Sequence, residues 1–342
     1  MTPLLRGLLL LLLALSACGL GALDVDDPPR DGGLDAGGLD DGDAGDEDEP
    51  DAGPLERDAG SLPGAPVLEP LGAPVFRAQP FGVDWRPSAS DPVRGAVALR
   101  YEVQESADPA FDAGVRTFRV AAPSTRLDRV HQSLSFGAAE RLTRYYRVRT
   151  VTAAGRGPFS NVEAKVLEAS FKPTYVSVGY RGPNAPPFPL GADAFTVDDV
   201  VRANGAFTRA GAGWLDTTDP NKGHQGHYWY VSNHAPLPRD GAEAARWTPT
   251  ITRAGRYEVW VSFYRSENRD DHAEYFVTSR DGERLGPFVV SQYLGTEWGD
   301  TAWVKLGEFS LEAGTAAHVD LDWSAAGRSH SECADAAAFR RL

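Results

Sequence analysis

Residues 257–264 read Tyr-Glu-Val-Trp-Val-Ser-Phe-Tyr, and this stretch decides the fold class. Its side chains alternate with a period of two, which is the period of a β-strand and not of a helix. Every second residue from Tyr257 to Phe263 is apolar, so this face is expected to lie in a core. The opposite face presents Trp260 and Tyr264 four residues apart.

Trp260 and Tyr264 are the candidate carbohydrate-binding residues. Flat aromatic rings offer a large rigid apolar area, which suits stacking on a sugar ring while polar neighbours bond its hydroxyls. The alternative is that both faces of the strand are buried, as in an inner strand of a sandwich. The alternation of side chains does not decide between these two interpretations.

The composition of the whole chain favours an all-β protein. The 342 residues include 36 Gly and 25 Pro, which indicates many turns, and 42% are hydrophobic, which is enough for real cores. We predict a jelly-roll-like β-sandwich over residues 194–342, preceded by a Pro-rich connector over residues 169–193. Its strand candidates are residues 227–231, 256–264, 273–278, 287–292, 303–311 and 317–323.

Several sequence blocks of this second module occur in a characteristic order. They include residues 195–199, 223–230, 245–249, 255–261, 303–309 and 334–336. With these blocks, the module resembles the golvesin C-terminal-like domain, which is also found beside xanthan lyases and is described as carbohydrate-binding-like. The resemblance implies a non-catalytic β-sandwich. It departs from the family at the last strand, where Cys333 precedes Ala334-Asp335-Ala336.

Residues 65–168 form a first module of short alternating segments separated by turns. Residues 83–85, 101–104 and 146–149, together with the turn over residues 152–161, resemble a fibronectin type III domain. That resemblance implies a second β-sandwich, which we expect to act as a spacer. Arg147 and Arg149 share one face of a strand, and this face is either solvated or a ligand patch.

The acidic charge is concentrated before the first module. Residues 24–60 contain 15 Asp and Glu against Arg30 and Arg57, a net charge of −13 in a chain of net −14. Since Arg6 is the only other charge before residue 61, residues 61–342 carry about −2. We predict that residues 18–64 are a disordered acidic linker. The near-neutral remainder argues against a nucleic-acid partner.

The N-terminal residues 1–17 have the anatomy of a secretory signal. Arg6 precedes a run of six leucines, Leu8–Leu13, and small residues follow. Leu15-Ser16-Ala17-Cys18 resembles the lipobox of bacterial lipoproteins, which implies cleavage before Cys18 and acylation of its sulfur. Two acyl chains anchor a protein stably in a bilayer. The resemblance therefore implies a membrane-anchored lipoprotein of the bacterial cell envelope, at the outer membrane or cell surface.

Metal and catalytic motifs are weak in this chain. His224, His227 and His234 lack the i, i+4 spacing of a zincin helix, so we expect no metal and no cofactor. Residues 329–332, Ser-His-Ser-Glu, are adjacent but form no catalytic framework. After lipidation of Cys18, the remaining Cys333 is expected to be a buried thiol.

These observations predict a non-catalytic surface lipoprotein whose second module binds polysaccharide. The alternatives are a structural or adhesive protein with a protein partner, and a cryptic hydrolase within residues 194–342. Retention by polysaccharides discriminates between the first two, and a convergent acid–base pair is required for the third.

Overall fold

The computed structural model describes residues 62–88, 100–178, 193–198, 204–211, 213–232, 244–279, 282–295, 299–322 and 331–342. The expected signal peptide, Cys18 and most of the expected acidic linker lie outside the described residues. The described chain is built from strands, which confirms the all-β prediction. No helix among these residues has the length and apolar character needed to cross a membrane.

The first module is a sandwich of two sheets. Its strands are β1 (Val67–Leu68), β2 (Val75–Phe76), β3 (Phe81–Arg86), β4 (Arg100–Ser106), β5 (Arg116–Ala121), β6 (Arg126–Arg129), β7 (Arg141–Thr152), β8 (Gly155–Arg156) and β9 (Glu163–Glu168). One sheet has the order β1-β3-β6 and the other β2-β9-β7-β4-β5, with β8 paired to β7. Their facing side chains, including Trp85, Tyr101, Val103 and Tyr146, form one buried core. This arrangement confirms a fibronectin type III-like sandwich.

The second module has two five-stranded sheets and one small sheet. Its elements are β10 (Tyr175–Ser177), β11 (Ala194–Asp198), β12 (Gly205–Ala210), β13 (Trp214–Thr218), a 3₁₀ turn (His224–Gly226), β14 (His227–Val231), β15 (Ala244–Pro249), β16 (Gly255–Arg265), β17 (Ala273–Thr278), β18 (Arg284–Val290), β19 (Asp300–Leu311), β20 (His318–Asp322), β21 (Glu332–Ala334) and β22 (Ala336–Arg341).

Sheet I has the strand order β10-β19-β16-β22-β11, sheet II has β12-β15-β20-β17-β18, and the small sheet has β13-β14-β21. All strand pairs within them are antiparallel. The core between sheets I and II is closed by fully buried Trp247, Tyr275, Phe263 and Phe309. A jelly-roll-like sandwich is therefore present.

The two modules share packing at their junction. Phe76 of the first module belongs to the core of the second, where its ring lies 5.5 Å from that of Phe288. Phe171 packs against the same ring at 5.3 Å, and β10 pairs with β19. The expected connector over residues 169–193 therefore contains a strand of sheet I, while its residues 179–192 lie outside the described part of the chain.

Candidate functional site

Strand β16 has the two faces that its alternation predicts. Tyr257, Val259, Val261 and Phe263 lie in the core between sheets I and II, and none is more than 3% exposed. On the opposite, outer face of sheet I, the side chains of β16 differ in their exposure, because different parts of the chain cover them.

Tyr264 is not exposed, so its ring is not available for stacking on a sugar. Its side chain is only 5% exposed, and its ring stacks on that of Tyr228 with centroids 5.5 Å apart and an interplanar angle of 11°. Tyr228 belongs to β14, so the small sheet covers this end of β16. The expectation that Tyr264 is exposed beside Trp260 is wrong, because a neighbouring sheet occupies the space above its ring.

Trp260 is half-buried on the same face. It packs against a small apolar cluster that includes Trp303, Ala336, Ala338 and Val176. Its indole N–H lies 3.4 Å from Glu258 Oε2. The alanines on β22 leave room for the ring to lie over the sheet, and one side of the ring faces a cleft.

This cleft lies where the two modules meet, and we name it the Trp260 cleft. It has a volume of about 380 Å³, within the range of roughly 300–1,000 Å³ usual for small-molecule sites. The first module contributes Pro74, Phe76, Gln79 and Glu168 to its lining. The second contributes Trp260, Val176 and Lys305, and residues Phe171, Lys172 and Thr174 lie between them.

A second cavity of about 580 Å³ adjoins the Trp260 cleft and shares Pro74, Gln79 and Lys305 with it. Gln79 spans the seam between the modules, because its side-chain amide donates to the carbonyl oxygen of Leu306 at 2.6 Å. The two cavities thus adjoin at the seam, and Trp260 lines only the smaller of them.

The polar groups of the Trp260 cleft are mostly charged. Lys305 Nζ donates to Glu258 Oε1 at 2.7 Å and to Glu308 Oε1 at 2.9 Å. Arg340 also pairs with Glu258, at 2.5 Å. Burial raises the pKa of Glu258, but hydrogen bonding and the positive charges of Lys305 and Arg340 outweigh burial and lower it overall.

Glu168 lies at the other wall of the cleft. Its Oε1 accepts hydrogen bonds from Arg141 at 2.7 Å and from Lys172 at 3.1 Å. Burial raises the pKa of Glu168, and these two cations lower it by more. Glu168, which lines the cleft, is thus favoured in its ionised form, as is the buried Glu258 behind Lys305.

A different pair of carboxyl groups lies under the small sheet. Asp335 is fully buried, and Ser262 Oγ lies 2.5 Å from its Oδ2. The backbone N–H of His224 donates to the same carboxyl group, at 2.8 Å from Oδ2. Burial, together with the charge of Asp198, raises the pKa of Asp335 to about 8. The raised pKa favours the protonated form of Asp335, whose carboxyl group ties the 3₁₀ turn to β16.

The histidine-rich segment holds no metal-ligand cluster within the described residues. The ring of His224 lies edge-on to that of Trp303 at 5.4 Å, and the ring of His227 lies against Trp229. His234 and residues 329–330 lie outside the described part of the chain. Cys333 is a fully buried thiol, as expected, and its sulfur accepts the backbone N–H of Tyr264 at 3.4 Å.

Sequence reasoning missed the residues that complete the cleft. Gln79, Glu168 and Lys305 are far apart in the chain and lie in segments assigned to separate modules. The alternation of side chains along β19 was the one available indication. Lys305 pairs with Trp260 and therefore lies on the same face of the sheet. Asp335 was visible in the Ala334-Asp335-Ala336 block, but its burial was not.

Residues 197–341 match the golvesin C-terminal domain family. No curated protein matches the chain significantly. Among solved structures, the chain is similar to a Paenibacillus xanthan lyase, with 15% identity and a TM-score of 0.35 over 82% of this chain and 25% of that one. The chain thus spans about a quarter of that enzyme's length.

The chain is also similar to two further solved structures. The sixth fibronectin type III domain of human fibronectin type III domain containing protein 3 has 20% identity, with a TM-score of 0.22 over 33% of this chain and 91% of that one. An isomalto-dextranase from Arthrobacter globiformis T6, solved with panose, has 13% identity and a TM-score of 0.29 over 82% of this chain and 35% of that one. Residues 197–341 are thus similar to the golvesin C-terminal domain family, and they follow a fibronectin type III-like sandwich.

Proposed function

We propose that this protein is a non-catalytic lipoprotein that binds extracellular or cell-wall polysaccharide in the Trp260 cleft. The observation that carries the proposal is the half-buried Trp260 ring, which forms one wall of a cleft lined by charged and amide side chains. Aromatic stacking holds the face of a sugar ring, and Gln79, Glu168 and Lys305 supply donors and acceptors for hydroxyl groups.

A binding role without catalysis is supported by the charges of the cleft. Glycoside hydrolysis needs one carboxyl group that stays protonated at working pH, which requires a raised pKa. The pKa values of Glu168 and Glu258 are both lowered. Asp335 has a raised pKa, but its side chain is fully buried and is used by Ser262 and His224.

The binding proposal is tested by affinity electrophoresis of the full chain through gels that contain one polysaccharide each, chosen from a glycan array. Trp260→Ala should weaken binding by about 1–2 kcal/mol, or roughly 5- to 30-fold in Kd, because one stacked ring is lost. Since the ring is only half-buried, its removal should cost about 1–3 kcal/mol of unfolding free energy, less than for a core Trp. A thermal melt measures that cost.

The matched control is Trp229→Ala. Trp229 is also partly buried, but it lies in the small sheet, with the Arg209 guanidinium 3.2 Å from its ring centroid. This variant should be retained like the wild type. If Trp260→Ala is retained equally well, the cleft is not the site. If no polysaccharide retains the wild type, the alternative of a protein partner replaces the proposal.

We also propose that Cys18 anchors the protein in the bacterial envelope, at the outer membrane or cell surface. The lipobox-like residues 15–18 support this location. Cys18→Ser should move the protein from the detergent phase to the aqueous phase in Triton X-114 partitioning. The matched control is Cys333→Ser, because Cys333 is buried and should leave partitioning unchanged. Partitioning of Cys18→Ser like the wild type would contradict the anchor.

A further inference from the structure

Strand β9 places a lysine at a core position. Lys165 and Leu167 lie on the same face of β9, because side chains alternate along a strand, and both are buried, with Lys165 only 3% exposed. Lysine is almost never fully buried unless its charge is paired. Within the described residues, however, no carboxylate lies within ion-pair distance of Lys165 Nζ, and burial lowers the pKa of this group.

The ammonium group of Lys165 is held at the wall of the cavity of about 580 Å³ that adjoins the Trp260 cleft. Its Nζ donates to the carbonyl oxygens of Leu71 and Ala73, each at 2.6 Å, and lies 5.1 Å from the centroid of the Phe81 ring. All four residues line this cavity, which we name the Lys165 cavity. An ammonium group has three N–H donors, so the two carbonyl oxygens leave one donor for a ligand.

The other cations that line the Lys165 cavity are already paired with carboxylates. Arg126 Nη1 lies 2.8 Å from Asp84 Oδ2, and Arg256 Nη2 lies 2.7 Å from Glu308 Oε2. Lys305 Nζ lies 2.9 Å from Oε1 of the same Glu308. Four positive and two negative side chains line the cavity, so its wall is net positive. Such a wall favours an anionic group over a neutral one.

We propose that the Lys165 cavity binds the carboxylate of an acidic sugar, so that the polysaccharide of this protein is one that contains uronic acid. This inference rests on the proposed polysaccharide site, because the cavity shares Pro74, Gln79 and Lys305 with the Trp260 cleft. A polysaccharide bound at Trp260 therefore has the Lys165 cavity beside it. The carboxylate accepts the remaining N–H of Lys165 and supplies the negative charge that this ammonium group lacks.

The burial of Lys165 makes this contact selective. The attraction between opposite charges is stronger in a partly enclosed site than in bulk water, and a charge-assisted hydrogen bond is stronger than one between neutral groups. A neutral sugar in the same place leaves the ammonium group without a counter-charge. The acidic polymer should therefore bind more tightly than a neutral polymer of the same backbone.

Affinity electrophoresis of the full chain in zwitterionic detergent micelles tests this selectivity, at about 0.15 M salt to screen contacts between exposed charges. The gels contain polygalacturonate, alginate or hyaluronate, or the carboxyl-reduced form of each, in which a primary alcohol replaces every carboxylate on the same backbone. The wild type should bind at least one acidic polymer at least about tenfold more tightly than its reduced form, because a charge-assisted hydrogen bond is lost.

Lys165→Met removes the charge and keeps an unbranched apolar side chain at the core position. In this variant, the preference for the acidic polymer should fall below about threefold. The matched control is Lys222→Met, which removes the same charge outside both cavities, where Lys222 pairs with Asp219 at 3.1 Å. This control should keep the preference of the wild type.

The outcomes separate this inference from the proposed function. Equal binding of acidic and reduced polymers by the wild type would overturn the inference and leave the polysaccharide site in place. A preference for acidic polymers that persists in Lys165→Met would also overturn it, because other cations would then hold the carboxylate. A wild type that binds no polysaccharide, acidic or neutral, would overturn the proposed function and the inference together.

A measurement on the wild type decides the matter if Lys165→Met does not fold. The chain has four lysines, Lys165, Lys172, Lys222 and Lys305, so ¹³C labelling of lysine Cε gives few NMR signals to assign. The acidic trisaccharide of the polymer that binds most tightly should shift the Lys165 signal, and its carboxyl-reduced form should not. The Lys222 signal should stay in place with both. A Lys165 signal that does not move, at a trisaccharide concentration that displaces the polymer, would overturn the inference.

Discussion

Trp260 and Tyr264 lie on the same face of the same strand, yet the structure treats them differently. Trp260 is half-buried and forms a wall of the Trp260 cleft, whereas Tyr264 is 5% exposed and stacks on Tyr228. The cause is what lies above each ring. The small sheet covers Tyr264, and the junction between the modules leaves Trp260 beside a cavity.

The polar residues around the two rings differ in the same way. Under the small sheet, Asp335 is fully buried and its pKa is raised to about 8. At the cleft, Glu258 is surrounded by Lys305 and Arg340, and its pKa is lowered. One face of one sheet thus has a sealed half that stabilises the fold and an open half that is available to a ligand. The following variants separate these two halves.

Asp335→Asn should have the largest effect, which is a change in the pH dependence of stability. The pKa of Asp335 is raised from 3.8 to about 8, so the folded state favours its protonated form. Its contribution is present in full below about pH 4 and is lost progressively as pH rises to 8, with an upper bound of about 6 kcal/mol. Urea unfolding from pH 5 to 9 should show a decline in the wild type that Asp335→Asn lacks.

The asparagine resembles the neutral carboxyl group and can keep the bonds to Ser262 and the His224 N–H, so the variant should fold at pH 5. Two other titratable groups interact with Asp335. The charge of Asp198 raises the pKa of Asp335, and the charge of Asp335 raises the pKa of Tyr275. Parallel stability curves for wild type and variant would mean that Asp335 is ionised in the fold.

Tyr264→Ala should have the next largest effect on the free energy of unfolding. Removing a buried aromatic ring from the sealed half should cost about 3–5 kcal/mol of unfolding free energy. Tyr264→Phe keeps the stack on Tyr228 and loses only the hydroxyl, so its cost should be about 1 kcal/mol. Both are measured by chemical unfolding. A glycan affinity of folded Tyr264→Phe well below that of the wild type would place Tyr264 in the binding site and remove the distinction between the halves.

The sequence predicted the parts of the fold that depend on local pattern. The alternation of residues 257–263 placed four side chains in the core, and turns and strand lengths predicted two sandwiches. It did not predict β10, because Tyr175–Ser177 is a three-residue strand in a Pro-rich region and takes its pairing from β19. An edge strand of this length has too little pattern of its own.

The candidate site was only half predictable for a related reason. The alternation of side chains along a strand predicts which face of the sheet a side chain lies on, but not what covers that face. By this alternation, Trp260 and Tyr264 are equivalent. Their exposure differs because Tyr228 from another sheet stacks on Tyr264, whereas Gln79 from another module lies at the junction beside Trp260. Long-range packing decides exposure, and a single sequence carries little information about it.

Glu258→Gln should have the smallest effect on stability, with the opposite sign of pH dependence to Asp335→Asn. The pKa of Glu258 is lowered, so its contribution is present above about pH 4.5 and is lost as pH falls. Loss of the pairs with Lys305 and Arg340 should cost about 1 kcal/mol at pH 7, because both cations are about one-third exposed and Lys305 keeps Glu308.

As pH falls below 4.5, the unfolding free energies of Glu258→Gln and wild type should converge, whereas those of Asp335→Asn and wild type should diverge as pH rises from about 4 to 8. Urea unfolding across both ranges measures the two trends in one experiment. Glu308→Gln serves as the matched control, since it removes a carboxylate from the same Lys305 but leaves Glu258 paired. Carboxyl groups with pKa values shifted in opposite directions must lose their contributions to stability at opposite ends of the pH scale. If the stability curves of both variants instead approach that of the wild type in the same pH range, the two halves of the face are not electrostatically distinct.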